Sequence, residues 1–239
     1  MRFFQHLLRP HSQSRIRQDP EYGFLHIGKT GGTTIASLLN EAASHNYCTP
    51  RVLGHDYSMK QAICEFPNIK LSVTIRDPIE RIISGFNSRL RQSRPSYTAL
   101  WKPEEAVAYL WFPTVTDFFK AKISDNERLK SAALWAEQAM GHVRRGYVYH
   151  FDSPEFLEQN KHRLYYVGKL DDLSLSAFRY LEPCGVPKSF CDDRLERMHC
   201  GAGTTQSSRN TLCPDLVKIL RDIYADEYAI YDKLLSFAK

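Results

Sequence analysis

The chain has 239 residues, 43% of them hydrophobic and 25% charged, with 32 Lys and Arg against 27 Asp and Glu for a formal net charge of +5. That is enough apolar material for one substantial core without a second domain, and the modest basic excess suits an anionic small molecule without making a nucleic-acid binder. The short clusters Arg89, Arg91, Arg94 and Arg144-Arg145 belong to no nucleic-acid module.

Residues 1–20 read as a flexible basic tail ahead of one domain over 21–239. Phe3-Phe4 is separated from Leu7-Leu8 by Gln5-His6, so no run is long enough for a secretory core or a bilayer span. The expectation is therefore a cytoplasmic protein without a membrane anchor. Tyr22 to Ile27 then reads as a buried strand running into the turn Gly28-Lys29-Thr30-Gly31-Gly32-Thr33-Thr34, with a helix from Ile35. Gly28, Gly31 and Gly32 permit backbone shapes closed to other residues. Free N–H groups at the helix start face an anion, Lys29 adds a point charge, and Thr30, Thr33 and Thr34 add hydroxyl donors.

Gly23 to Thr30 also fits the nucleoside-triphosphate pattern G-x-x-x-x-G-K-[ST]. Its variable positions, Phe24, Leu25, His26 and Ile27, look like strand rather than loop, so the fit is read as accidental. The next apolar strand, Leu71 to Ile75, ends in Arg76-Asp77-Pro78. An arginine there favours a second anion over a magnesium ion. Asp77 is the expected N-cap, Pro78 the first helical residue and Glu80 the acid of the first turn, with Ile82, Ile83, Phe86 and Leu90 on one face. Arg76, at the carboxyl end of its strand, and Ser84, on the helix, are both in reach of a second phosphate.

The middle of the chain reads as helical from Pro103 to about Lys122 and from Asn126 to about Arg145. Trp101, Tyr109, Trp111, Phe112, Phe118 and Phe119 are read as mainly core, with one or two left to stack on a sugar, and Arg144, Arg145, Lys161 and Arg163 as solvated surface. Leu164 to Gly168 follows as a strand, and Leu173 to Leu181 as a helix ended by Pro183 and Gly185. Alternating strands and helices imply an α/β fold: a single three-layer domain whose mainly parallel sheet is flanked by helices. Six cysteines are present, four of them from Cys184 onward. None forms a C-x-x-C pair, so no metal site is expected; one disulfide among the last four is open to a chain in an oxidising compartment, while in the cytosol all stay thiols.

His26-Ile27-Gly28-Lys29-Thr30-Gly31-Gly32-Thr33-Thr34 and Thr74-Ile75-Arg76-Asp77-Pro78 through Ser84-Gly85-Phe86 together resemble the two nucleotide-binding signatures of carbohydrate sulfotransferases, notably the heparan sulfate 6-O- and 2-O-sulfotransferases and their bacterial relatives. The resemblance implies a P-loop NTPase-like sulfotransferase fold and a co-substrate, 3′-phosphoadenosine 5′-phosphosulfate (PAPS). It assigns Gly28 to Thr34 to the 5′ side of the nucleotide and Arg76 with Ser84 to the 3′-phosphate. Thr204 to Asn210 and the helical tract after it are similar to that family's closing loop and last helix, which nominates Ser208 and Arg209 as further nucleotide contacts. Gly54-His55-Asp56 resembles the segment that carries the family's catalytic histidine, making His55 the expected general base, with Lys29 beside the leaving phosphate and no metal required. The implied acceptor is a hydroxyl, most simply of a glycan or glycoside. Two alternatives stand beside it: an ATP/Mg-dependent small-molecule kinase, and a nucleotide- or glycan-binding protein without catalysis.

Overall fold

The computed structural model of the chain describes residues 20–92, 94, 99–201 and 212–238, with the side chains of 196–201 excepted. The expected tail at residues 1–20 lies, but for Pro20, outside this set. The chain runs β1 (Tyr22–Leu25), α1 (Gly32–Ser44), β2 (Arg51–Leu53), α2 (Met59–Glu65), β3 (Lys70–Ile75) and α3 (Pro78–Leu90). A helical block follows, with α4 (Pro103–Trp111), α5 (Val115–Lys122), α6 (Glu127–Ala139), α7 (Gly141–Arg144), α8 (Tyr147–Phe151) and α9 (Pro154–Gln159). The chain then returns through β4 (Leu164–Lys169), α10 (Leu173–Leu181), α11 (Lys188–Gly201), α12 (Pro214–Ile223) and α13 (Ala225–Phe237).

The four strands form one parallel sheet in the order β2-β1-β3-β4. Helices cover both faces, which is why the strands read as continuous apolar runs. On one face Leu25, Leu53, Leu71, Val73, Ile75 and Val167 pack with α2, α8, α9 and α13. On the other, Phe24 and Tyr166 pack with Ile35, Leu38 and Leu39 of α1, with Ala177, Tyr180 and Leu181 of α10, and with Leu195 of α11. The polar Thr74 of β3 is accommodated there because its hydroxyl meets the Tyr180 hydroxyl at 2.8 Å. The three-layer α/β expectation is therefore met. A separate core joins α3 to α4, α5, α6 and α12 through Ile82, Phe86, Phe118, Phe119, Ala133, Ala136 and Leu220.

Strand β4 and helix α10 form where the sequence places them. Both long middle helices break. Phe112 leaves helical geometry at φ −130°, ψ 82°, as the residue before Pro113 must, and Thr114 restarts the helix by accepting the Asp117 N–H at 3.1 Å. The second begins as expected, with Asn126 Oδ1 accepting from Arg128 and Leu129 at 3.0 and 3.3 Å. It stops at Ala139, because Met140 swings to φ −89°, ψ 96° with its side chain fully buried. This break carries α7 toward the carboxyl ends of the strands.

Candidate functional site

Strand order reverses between β1 and β3, so the loops leaving their carboxyl ends diverge and open a crevice between them. After β1, the His26 N–H is held by the Leu53 carbonyl at 2.9 Å and the buried Thr30 hydroxyl donates to the Ile27 carbonyl at 3.0 Å. Lys29 at φ 71° and Gly31 at φ 87° then turn the backbone through left-handed conformations, strain that a non-glycine residue retains only where its surroundings enforce it. Helix α1 starts at Gly32 with no side-chain cap and no acid in its first turn. Its positive end is left for an outside anion. Gly23, by contrast, lies inside β1, where a Cβ would stand 2.7 Å from the Ile69 side chain, so this first glycine of the triphosphate pattern serves strand packing.

After β3 the main chain of Arg76 is clamped by the fully buried Tyr147, whose hydroxyl accepts the Arg76 N–H at 2.8 Å and donates to the Arg76 carbonyl at 2.6 Å. Arg76 Nε reaches Glu80 at 3.4 Å. Asp77 caps α3 as the sequence predicts, accepting the Glu80 N–H at 3.1 Å, and its other oxygen accepts from the Tyr228 hydroxyl at 2.9 Å. The terminal helix α13 thus locks the second loop.

Both loops line one cavity of about 250 Å³, which Lys29, Gly31, Gly32, Thr33 and Thr34 enter from the first loop and the start of α1, Arg76 from the second and Ser84 from α3. His55, His142 and Leu170 complete it. Of the expected contacts in the described residues, Gly28 and Thr30 stand behind this wall. Gly28 sits beneath the histidines, where a Cβ would lie 3.8 Å from His55 Nδ1 and 3.9 Å from His142 Cδ2, and the Thr30 hydroxyl is turned inward. Ser208 and Arg209 lie outside the described residues.

A second cavity of about 510 Å³ adjoins the first, lined by Lys102, Glu104, Trp135, Gln138, Arg144 and their neighbours, and again by His55 and His142. These two histidines are the residues common to both walls. His55 Nδ1 lies 3.0 Å from the His26 carbonyl. A carbonyl only accepts, so Nδ1 carries the hydrogen and Nε2 keeps its lone pair. Asp56 does not orient the ring as a carboxylate partner, since it pairs with Arg145 at 2.5 Å.

His142 arrives from the middle of the chain, where the sequence offers no motif, and it is held in place by a buried arginine. Arg81, 1% exposed, donates to the carbonyls of His142, Val143 and Arg145 at 3.0, 2.9 and 3.1 Å. Gly85 permits the approach, because a Cβ there would be 2.9 Å from the His142 oxygen. The only sequence signal for this was a charged residue on the apolar side of α3.

The site is short of negative charge. Burial, then the charges of Arg91 and Arg76, lower the Lys29 pKa from its ordinary value. Burial lowers His55 too, outweighing its bond to the His26 carbonyl, with Arg145 and Lys29 adding to the depression. Burial first, then the neighbouring imidazoles and Lys29, bring His26 down to about 4, and burial, then Lys29 and His55, do the same for His142. The imidazoles are therefore neutral near pH 7, and an incoming polyanion relieves the mutual repulsion of Lys29, Arg76 and Arg91.

Among the described residues no cluster of His, Cys, Asp or Glu is arranged to hold a metal ion, and no helix is long and apolar enough to cross a membrane. Cys48, Cys64, Cys184, Cys191 and Cys213 are free thiols. Compared with known proteins, the chain matches no family model, no curated protein and no solved structure.

Proposed function

We propose that this chain is a sulfotransferase of P-loop-like α/β architecture that moves the sulfuryl group of PAPS to an acceptor hydroxyl, most simply that of a carbohydrate. The observation that carries this reading is the pair of histidines shared by a basic cavity, built from two phosphate-type loops, and a larger cavity beside it. A donor in the first and an acceptor in the second would meet at His55. The uncapped α1 terminus, Lys29 and the hydroxyls of Thr33 and Thr34 suit the 5′-phosphate side, and Arg76 with Ser84 suits the 3′-phosphate.

In the proposed reaction His55 Nε2 takes the acceptor's hydroxyl proton as that oxygen forms its bond to sulfur. The bond from sulfur to the bridging phosphate oxygen breaks in line, and adenosine 3′,5′-bisphosphate leaves. Lys29 neutralises charge growing on the bridging oxygen, the kind of aimed electrostatic help whose removal costs about 3 kcal/mol. His26 fixes the tautomer of the base through its carbonyl. No step is assigned to a metal.

The test is calorimetric titration of wild type and Arg76→Ala with adenosine 3′,5′-bisphosphate, adenosine 5′-monophosphate and ATP with magnesium. Binding of the bisphosphate in preference to the others, weakened in the variant, is the expected result. Preference for ATP with magnesium would instead revive the kinase alternative. Bisphosphate binding without transfer to any acceptor, and with no effect of His55→Ala, would leave a binding protein.

A further inference from the structure

We propose that Trp135 is the face on which a pyranose ring of the acceptor stacks in the larger cavity, an inference that rests on the sulfotransferase reading of the adjoining site. Helix α6 buries Ala133 and Ala136 completely, while Trp135 turns away from that core and stays 46% exposed on the cavity wall. Gln138 and Ala139, three and four residues on, lie on the same wall and so on the same helical face. The indole thereby lines the same cavity as His55, the proposed base.

The rest of the wall decides what kind of ring fits. Arg89 and Glu105 are committed to each other, with Arg89 Nε on Glu105 Oε1 at 2.7 Å, and Arg145 is committed to Asp56. Among the described residues Lys102 and Arg144 have no ion pair, and Arg144 donates a 3.3 Å bond to the Gln138 carbonyl on the same wall. The cavity therefore offers one indole on a wall it shares with mostly polar groups, of which Lys102 and Arg144 have donors to spare. A pyranose has an apolar C–H face and a rim of hydroxyls, which is the complement of that arrangement. A phenol would need apolar walls on both sides of its ring and would leave most of these polar groups unpaired.

The chain has three tryptophans, so labelling with 5-fluorotryptophan yields three fluorine resonances, assignable by Trp101→Phe, Trp111→Phe and Trp135→Phe. The labelled protein is titrated with cellotetraose, hyaluronan tetrasaccharide, 4-nitrophenol and adenosine 3′,5′-bisphosphate. A saccharide should move the Trp135 resonance and leave those of Trp101 and Trp111 in place. With a saccharide that accepts sulfuryl, Trp135→Ala should raise KM on the order of five- to ten-fold, Trp135→Phe less, with bisphosphate affinity unchanged. The proposal is overturned if the Trp135 signal ignores both saccharides, follows only 4-nitrophenol, or follows only the bisphosphate, which would assign the indole to the nucleotide. Failure of the underlying reading shows separately, as absence of bisphosphate binding while the saccharide response persists.

Discussion

Replacing Gly32 with alanine tests how the glycine-rich loop is joined to His26 and, through its ring, to the proposed base His55. A Cβ at position 32 would lie 2.0 Å from His26 Cδ2 and 2.4 Å from its Nε2. Carbon atoms in contact normally stop near ~3.5 Å, so the ring would have to retreat by roughly 1.5 Å. It has little room, since the His55 ring centre is 4.0 Å away and that of Phe24 5.9 Å. Overpacking of this kind costs about 1–3 kcal/mol, and a ring boxed on several sides belongs at the upper end. For a chain of this length about 3 kcal/mol corresponds to a fall in Tm of roughly 6–12 °C. The backbone opposes this only weakly, because alanine in a helix is preferred over glycine by at most ~1 kcal/mol. The assay is thermal unfolding, followed by circular dichroism, of wild type, Gly32→Ala, His26→Ala and the double variant. With the imidazole removed, alanine at 32 should become neutral or slightly stabilising, a reversal of sign that only direct contact between the two side chains produces. A melting point for Gly32→Ala within about 2 °C of wild type, or an equal loss with His26 already replaced, would refute the reasoning.

Tyr147→Phe removes the hydroxyl that satisfies both the N–H and the carbonyl of Arg76; stability in urea should drop by about 2–4 kcal/mol and bisphosphate affinity roughly ten-fold, as read by chemical unfolding and calorimetry. Arg81→Met, similar in length but without donors, should leave a folded protein whose His142 is no longer held, seen as an altered His142 ring signal by NMR and slower transfer with little change in bisphosphate affinity. Acid should destabilise the fold early. His26 and His142 titrate at about 4 and His150 at about 3 when folded, against 6.5 for the ordinary imidazole. Below 6.5 the unfolded chain binds protons that the folded chain refuses, so stability falls as pH falls by at most about 1.4 kcal/mol per unit for each ring that stays neutral when folded, and the loss levels off below the folded values. Urea unfolding near pH 7 and near pH 5 measures the slope, and a flat profile would mean that these rings stay accessible to protons in the folded chain.

Local physics was readable from the residues alone. The apolar run of β1 into Gly28 to Gly32, the cap at Asp77 followed by Pro78, β4 and α10 all depend on neighbours a few positions apart. The break before Pro113 and the cap at Thr114 were legible in the same way, but the apolar periodicity on either side concealed them. Lys29, Arg76, Ser84 and His55 could be nominated from the sequence; that their loops and α3 converge on one cavity follows from the strand order.

Tertiary structure alone decided the other half of the site. His142 meets His55 across 87 positions of chain because Arg81 of α3 binds its backbone and Gly85 leaves room for it. Tyr147 reaches Arg76 across 71 residues, Tyr228 reaches Asp77 across 151, and Trp135 of α6 lines a cavity with His55, 80 positions away. None of His142, Tyr147, Tyr228 and Trp135 carries a motif of its own in the sequence. Their roles come from packing between elements distant in sequence, which periodicity and capping signals do not encode, because those report only the few residues within one or two helical turns or along a single strand.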